Sequence, residues 1–151
     1  MPWLKNTDGT GTARHLPVDG AVTRCVWRPD GQRLLVQTDL SGTEDNQLAE
    51  VDPATGTVDW ITHERAARHE IGVDIEGAAV SGDGRRLVWG VNEDGYTHLN
   101  WLDLDSGRRG EVDGLPAGVT VMEWGYDGYS LYPSTDGRRV VVLLGRATAA
   151  A

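Results

Sequence analysis

A chain of 151 residues, 39% of them apolar, is long enough for one domain with its own core. Its formal net charge of -9 sets up a field that repels phosphate, so neither nucleic acid nor an anionic membrane surface is an expected partner. One cysteine, Cys25, excludes an intrachain disulfide and a cysteine-built metal centre, and suits a reducing compartment.

The N-terminal stretch MPWLKNTDGTGTARHL is mostly polar and has no apolar signal-peptide core. No run approaches the roughly 20 apolar residues of a membrane span. A cytoplasmic setting is expected. Trp3 and Leu4 either close an edge or belong to a strand cut short upstream. Pro17–Gly20 is a turn, and TRCVWR at Thr23–Arg28 is a short strand. Cys25 on that strand is expected to be a buried small hydrophobe rather than a reactive thiol. Pro29-Asp30-Gly31 ends it: proline fixes φ, aspartate caps the turn and glycine tolerates the left-handed region.

Leu34–Thr38 and Gln47–Val51 are the next strands, separated by the polar loop DLSGTEDN. After the turn DPATG at Asp52–Gly56, TVDWIT at Thr57–Thr62 supplies a fourth, with Val58, Trp60 and Thr62 on one face. The charged segment His63–Glu76 has no regular strand pattern and is expected to be a loop over one rim.

A second unit opens at Gly77–Ser81, turns at Gly82-Asp83-Gly84, and continues as a strand with Leu87, Trp89 and Val91 on one face. Asn92–Gly95 is a turn. Tyr96–Leu104 is a strand, Asp105–Gly107 stops it, and Arg108–Val112 is a weak outer strand. Leu115–Gly118 bridges to the strand Val119–Trp124. Tyr129–Tyr132 and Arg139–Leu144 follow around an Asp136-Gly137 turn, and Arg146–Ala151 is a frayed end.

The chain repeats itself. Trp27–Gly31 aligns with Val80–Gly84 and then with Trp124–Gly128, at steps of 53 and 44 residues, and QLAEVDPATG aligns with HLNWLDLDSG. Asp136-Gly137-Arg138-Arg139 echoes Asp83-Gly84-Arg85-Arg86, which leaves the register of the third unit open. Four strands per unit at a period near 40–50 residues is the pattern of a propeller blade, and the repeated Asp-Gly turns favour it over a β-sandwich. The expected fold is all-β: a partial β-propeller with two complete four-stranded antiparallel blades and parts of a third. The blade-like units span 20–62, 77–114 and 119–146. A propeller closes with typically 4–8 blades. The chain is therefore expected to be a fragment, a shortened gene product, or a partial propeller that self-associates through exposed blade faces.

Trp27-Arg28-Pro29-Asp30-Gly31, followed by Asp39, Gly42, Glu44 and Gln47-Leu48, resembles the N-terminal propeller of prolyl-oligopeptidase-family serine peptidases, in the style of acylaminoacyl-peptidase and dipeptidyl-peptidase members. Asn92–Tyr96 with Leu99 and Asp103, and Leu115–Val119, carry the same likeness, which spans Leu16–Val121. TolB-like and WD40-like propellers share the Asp-Gly turns. The resemblance implies a domain that gates peptide substrates for a separate α/β-hydrolase domain. The catalytic serine, acid and histidine belong to that other domain, which this chain is expected to lack. Peptide or protein docking is the implied role, with a stand-alone protein-interaction module as the alternative.

Local chemistry points the same way. Gly128-Tyr129-Ser130-Leu131-Tyr132 begins like a nucleophile elbow but lacks its last glycine, and no histidine follows it. His63, Glu64, His69 and Glu70 do not have the spacing of a zinc helix. His98 reads as a strand surface residue. The acidic loops Asn92–Gly95 and Asp103–Asp105 lack the ligand pattern of a calcium loop, and Asn6–Gly11 lacks a phosphate-loop lysine. No catalytic, cofactor or metal residue is assigned. Trp27, Trp60, Trp89, Trp101 and Trp124 are expected to fill space between blades.

Overall fold

A computed structural model describes residues 2–63, 68–71, 80–93, 96–115, 119–121, 131–142 and 144–146. The chain divides into two compact units, Met1–Ala66 and Ala67–Ala151. Among the described residues there is no helix long and apolar enough to cross a membrane.

The first unit opens with a hairpin, β1 (Trp3–Leu4) paired antiparallel with β2 (Arg14–His15). The intervening loop is tied by Lys5, whose ammonium donates to the carbonyls of Gly9 at 2.9 Å, Thr10 at 2.8 Å and Gly11. A four-stranded antiparallel meander follows: β3 (Ala21–Trp27), β4 (Leu34–Asp39), β5 (Asn46–Val51) and β6 (Val58–Trp60), in that order. The central strands carry apolar or hydrogen-bonded side chains on both faces and are buried nearly throughout. β3 alternates between exposed and half-buried, with a bulge between Val22 and Arg24. Leu34, Val36, Ala49 and Val51 form one face of the core, and Leu16 and Val18 of the N-terminal stretch close over it. The polar opening segment thus contributes core residues.

The second unit has a meander of the same order: β7 (Arg68–Ile71), β8 (Arg86–Glu93), β9 (Tyr96–Asp103) and β10 (Arg109–Glu111). Val88, Leu99 and Leu131 centre its core, flanked by Trp101, Val112, Leu115, Val140 and Val142. Two further pairs complete the unit, β11 (Val119–Val121) with β14 (Leu144–Arg146) and β12 (Leu131–Pro133) with β13 (Val140–Val142). These are the two complete blades and part of a third that the sequence predicts.

Three expectations change. The segment 63–76 is not a loop throughout, because Arg68–Ile71 pairs with β8 as an edge strand. The second sheet therefore begins ahead of the expected boundary at 77. An edge strand tolerates charged residues, so its sequence carries a weak strand signal. Cys25 is exposed, not buried. The third repeat keeps the period of 53. The cross-strand pairs Trp27↔Leu34, Val80↔Leu87 and Pro133↔Val140 recur at equal steps.

The turns between these pairs are chemically alike. Arg28 N–H donates to the Arg33 carbonyl at 2.9 Å, Ser81 to Arg86 at 2.8 Å, and Ser134 to Arg139 at 2.7 Å. The expected third copy at Trp124–Gly128 lies outside the described residues. The glycine at the same place in each turn, Gly31, Gly84 or Gly137, has φ of 68°, 75° or 64°, a region open to glycine and costly for a residue with a Cβ.

Candidate functional site: an open groove on the second sheet

The turn aspartates shape the rims. Asp83 Oδ1 accepts from Ser81 Oγ at 2.6 Å and from Arg85 N–H at 3.1 Å, and Asp136 repeats this with Ser134 and Arg138 at the same distances. Asp52 and Asp103 cap the outer turns, accepting from the N–H groups of Ala54 at 2.7 Å and Ser106 at 2.8 Å. The Ser81 hydroxyl and the Arg85 N–H hold the Asp83 carboxyl below its ordinary value. The Ala54 and Thr55 N–H groups do the same for Asp52, and the Ser134 hydroxyl and Arg138 N–H for Asp136. All three are turn formers, accounted for by local geometry.

The residues singled out for chemistry do not converge. Ser130 and Glu64 lie outside the described residues. His63 stacks on Trp60 with ring centroids 5.4 Å apart. His69 is buried, and its Nδ1 accepts from Trp89 Nε1 at 3.2 Å. Glu70 contributes backbone pairing to β7. His98 lies at the surface, 3.0 Å from Glu111. Among the described residues there is no group of three His, Cys, Asp or Glu side chains placed to hold a metal.

What the second unit does offer is a groove of about 690 Å³ between the β9–β10 face and the strand β13. Val88, Trp101 and Val112 give it an apolar floor, Glu111 and Asp113 an acidic wall, and Arg138 and Arg139 a basic one. Trp101 lies flat because its cross-strand partner is Gly110, where a Cβ would meet the indole at 3.2 Å. The Arg86 guanidinium stands 4.3 Å above the indole centroid, a cation–π contact, and 3.7 Å from the Asp103 carboxylate. The β13 edge beside this floor is open: among the described residues β13 pairs with β12 and no other strand. An apolar floor, charged walls and an open strand edge together suit an extended segment of polypeptide.

Sequence reasoning pointed to Trp101 as a packing residue. It missed the groove, which is assembled from the consecutive strands β8, β9 and β10 together with the later strand β13.

Repeated four-stranded antiparallel sheets with this groove define a β-propeller segment. The solved structures agree on the fold. The chain is 18% identical to TolB from Agrobacterium tumefaciens, covering 97% of itself and 46% of that chain with a TM-score of 0.61. It is 17% identical to TolB from Acinetobacter baumannii, covering 90% of itself and 29% of that chain with a TM-score of 0.56. It thus spans less than half the length of either. Residues 9–138 match the family described as the dipeptidyl peptidase IV (DPP IV) N-terminal region, and the chain belongs to that family, the N-terminal propeller of prolyl-oligopeptidase-type serine peptidases. No curated protein matches the chain.

Proposed function

We propose that the chain is a noncatalytic propeller segment that docks an extended peptide or a protein strand, related to the substrate-gating domain of a serine peptidase. The observation that carries this is the Trp101 groove with the open β13 edge beside it. Main-chain pairing along such an edge supplies affinity, and the apolar floor and charged walls supply selectivity. The family match to the N-terminal region of a peptidase, rather than to a hydrolase domain, supports the noncatalytic part. A cytoplasmic setting belongs to the same proposal, supported by the free thiol of Cys25.

A stand-alone protein-interaction module of TolB-like or WD40-like type is the second reading. The TolB fold likeness favours it.

The test is a titration with a capped ten-residue peptide alternating valine and threonine. Saturable binding that weakens at least about tenfold in Trp101→Ala, the loss expected when a central aromatic anchor is truncated, supports docking. Absence of binding to the wild-type groove overturns it. Binding to a folded partner but to no extended peptide would favour the second reading. Turnover of a fluorogenic peptide by the pure chain would overturn the noncatalytic assignment.

A further inference from the structure

At the turn end of the second sheet, Arg86, Trp101, Asp103 and Arg108 line a second, smaller pocket of about 270 Å³. All four belong to β8, β9 and the turn into β10. Arg86 and Trp101 also line the groove, so the stacked pair borders both. The carboxylate in this pocket is committed to its own turn. Asp103 Oδ1 accepts from the Ser106 N–H and from the Ser106 hydroxyl, both at 2.8 Å, and these bonds hold the Asp103 carboxyl below its ordinary value.

The two guanidiniums keep their donors. Arg86 stands over the indole, a contact that consumes no N–H. Its Nη2 is 3.7 Å from Asp103 Oδ2, an ion pair longer than a hydrogen bond. Arg108 is exposed, and among the described residues neither its guanidinium nor that of Arg86 makes a hydrogen bond. The neighbouring Asp105 is paired with Arg85 at 2.9 Å. Two guanidiniums against one carboxylate leave the pocket positive in a chain of net charge -9. The sheet also sets a spacing. Val88 and Trp101 are cross-strand partners, and so are Arg86 and Asp103, two residues along each strand. Side chains two apart on a strand face the same way, so the floor passes from apolar to charged in one step of about 7 Å. An extended peptide has the same step.

We propose that this pocket takes the carboxylate of an aspartate or glutamate side chain in the docked peptide, two residues from the apolar side chain that rests on Trp101. This rests on the groove being a peptide-docking site and names what that peptide carries. Arg108 and Arg86 donate to the carboxylate oxygens, a planar group that the guanidinium fork matches. The pocket thus selects an apolar residue followed or preceded, one position removed, by an acidic one.

Titration calorimetry on the full chain tests it. Three capped ten-residue peptides begin with valine, alternate valine and threonine, and carry glutamate, glutamine or lysine in place of the seventh residue. The glutamate peptide should bind about tenfold tighter than the glutamine peptide, and the gain should shrink as salt is raised. The long-range field of the acidic chain disfavours an anionic peptide, so such a preference comes from local contacts. In Arg108→Gln, at an exposed position, the preference should fall to about twofold or less while the glutamine peptide binds as it does to the wild type. Arg33→Gln, the same change of charge in the first unit, should leave the preference intact. Equal affinity for the glutamate and glutamine peptides, tighter binding of the lysine peptide, or a preference that survives Arg108→Gln overturns the assignment. So does a gain seen only when the glutamine peptide is given a free C-terminal carboxylate, because a chain end rather than a side chain then fills the pocket. Docking is judged separately. If the glutamine peptide binds and glutamate brings no gain, docking stands and the carboxylate pocket falls; if none of the three peptides binds, the docking reading falls as well.

Discussion

The backbone N–H of Asp83 donates to the carbonyl of Thr135 at 2.9 Å, joining the second copy of the repeated turn to the third. The two turns are packed as closely as they are bonded. A Cβ on Gly137 would come within 2.4 Å of Arg86 Cβ, and one on Gly82 within 3.0 Å of Thr135 Cγ2. Glycine in these turns is therefore required by its neighbours as well as by its φ.

Gly31 and Gly137 separate those two requirements. Both have a left-handed φ, but a Cβ on Gly31 meets nothing within 4 Å. Gly31→Ala should cost only the left-handed penalty, about 1–2 kcal/mol. Gly137→Ala adds overpacking against Arg86, worth about 1–3 kcal/mol more. Urea denaturation of the two variants measures the difference. Equal losses would show that the turn-to-turn contact in the second unit carries no stability.

The same turns explain which parts of the fold are legible in the sequence. An Asp-Gly turn is local chemistry: the carboxylate, the next two N–H groups and the glycine all lie within a few residues. The strands flanking these turns could therefore be placed. Register across repeats could not, because Trp124–Gly128 imitates the motif while the pairing Pro133↔Val140 keeps the period. Strand β7 was hidden because its pairing partner, not its own pattern, makes it a strand. Cys25 was expected to be a buried small hydrophobe, but its face of β3 is exposed, at Trp27 as well. The groove was invisible because Arg86, Trp101, Glu111 and Val140 meet only after the sheet forms.

Acid should loosen the chain through its turn aspartates. The carboxyls of Asp52, Asp83, Asp103 and Asp136 all lie below their ordinary value of 3.8, held there mainly by hydrogen bonds from serine hydroxyls and turn N–H groups. A depressed folded-state value means that the stabilisation is fully present above pH 3.8 and fades as pH falls through the lower folded-state values. The melting temperature should be flat on this account from neutral pH to about 5 and fall below about 4. In Asp83→Asn/Asp136→Asn the amide keeps an acceptor oxygen but does not titrate, so the acid-side fall should be shallower. An identical fall in wild type and double variant would remove these two turns as its source.

The Arg86–Trp101 stack should be measurable without any ligand. At 4.3 Å the guanidinium is within cation–π range, in a half-buried setting where such contacts contribute about 0.5–1 kcal/mol. Arg86→Met keeps the aliphatic stem and removes the charge. It should lower stability by that order and release Asp103 from its partner 3.7 Å away. In Trp101→Leu the same Arg86→Met change should cost measurably less. Additive losses in the double-mutant cycle would show that the two side chains touch without coupling.

Leu16 tests whether the N-terminal stretch is part of the fold. It sits in a polar run, yet it is buried against Leu34, Val36, Ala49 and Val51, and its N–H donates to the Pro2 carbonyl at 3.0 Å. Leu16→Ala leaves a cavity under the first sheet and should cost about 2–5 kcal/mol, as a central core leucine does. Trp3 lies nearby in sequence but is exposed, so Trp3→Ser should change stability by no more than about 0.5 kcal/mol. A stretch that merely trails from the sheet would make Leu16→Ala as mild as Trp3→Ser. A large loss at Leu16 with none at Trp3 means that the N-terminal stretch is anchored to the first sheet through Leu16 while Trp3 stays at its surface.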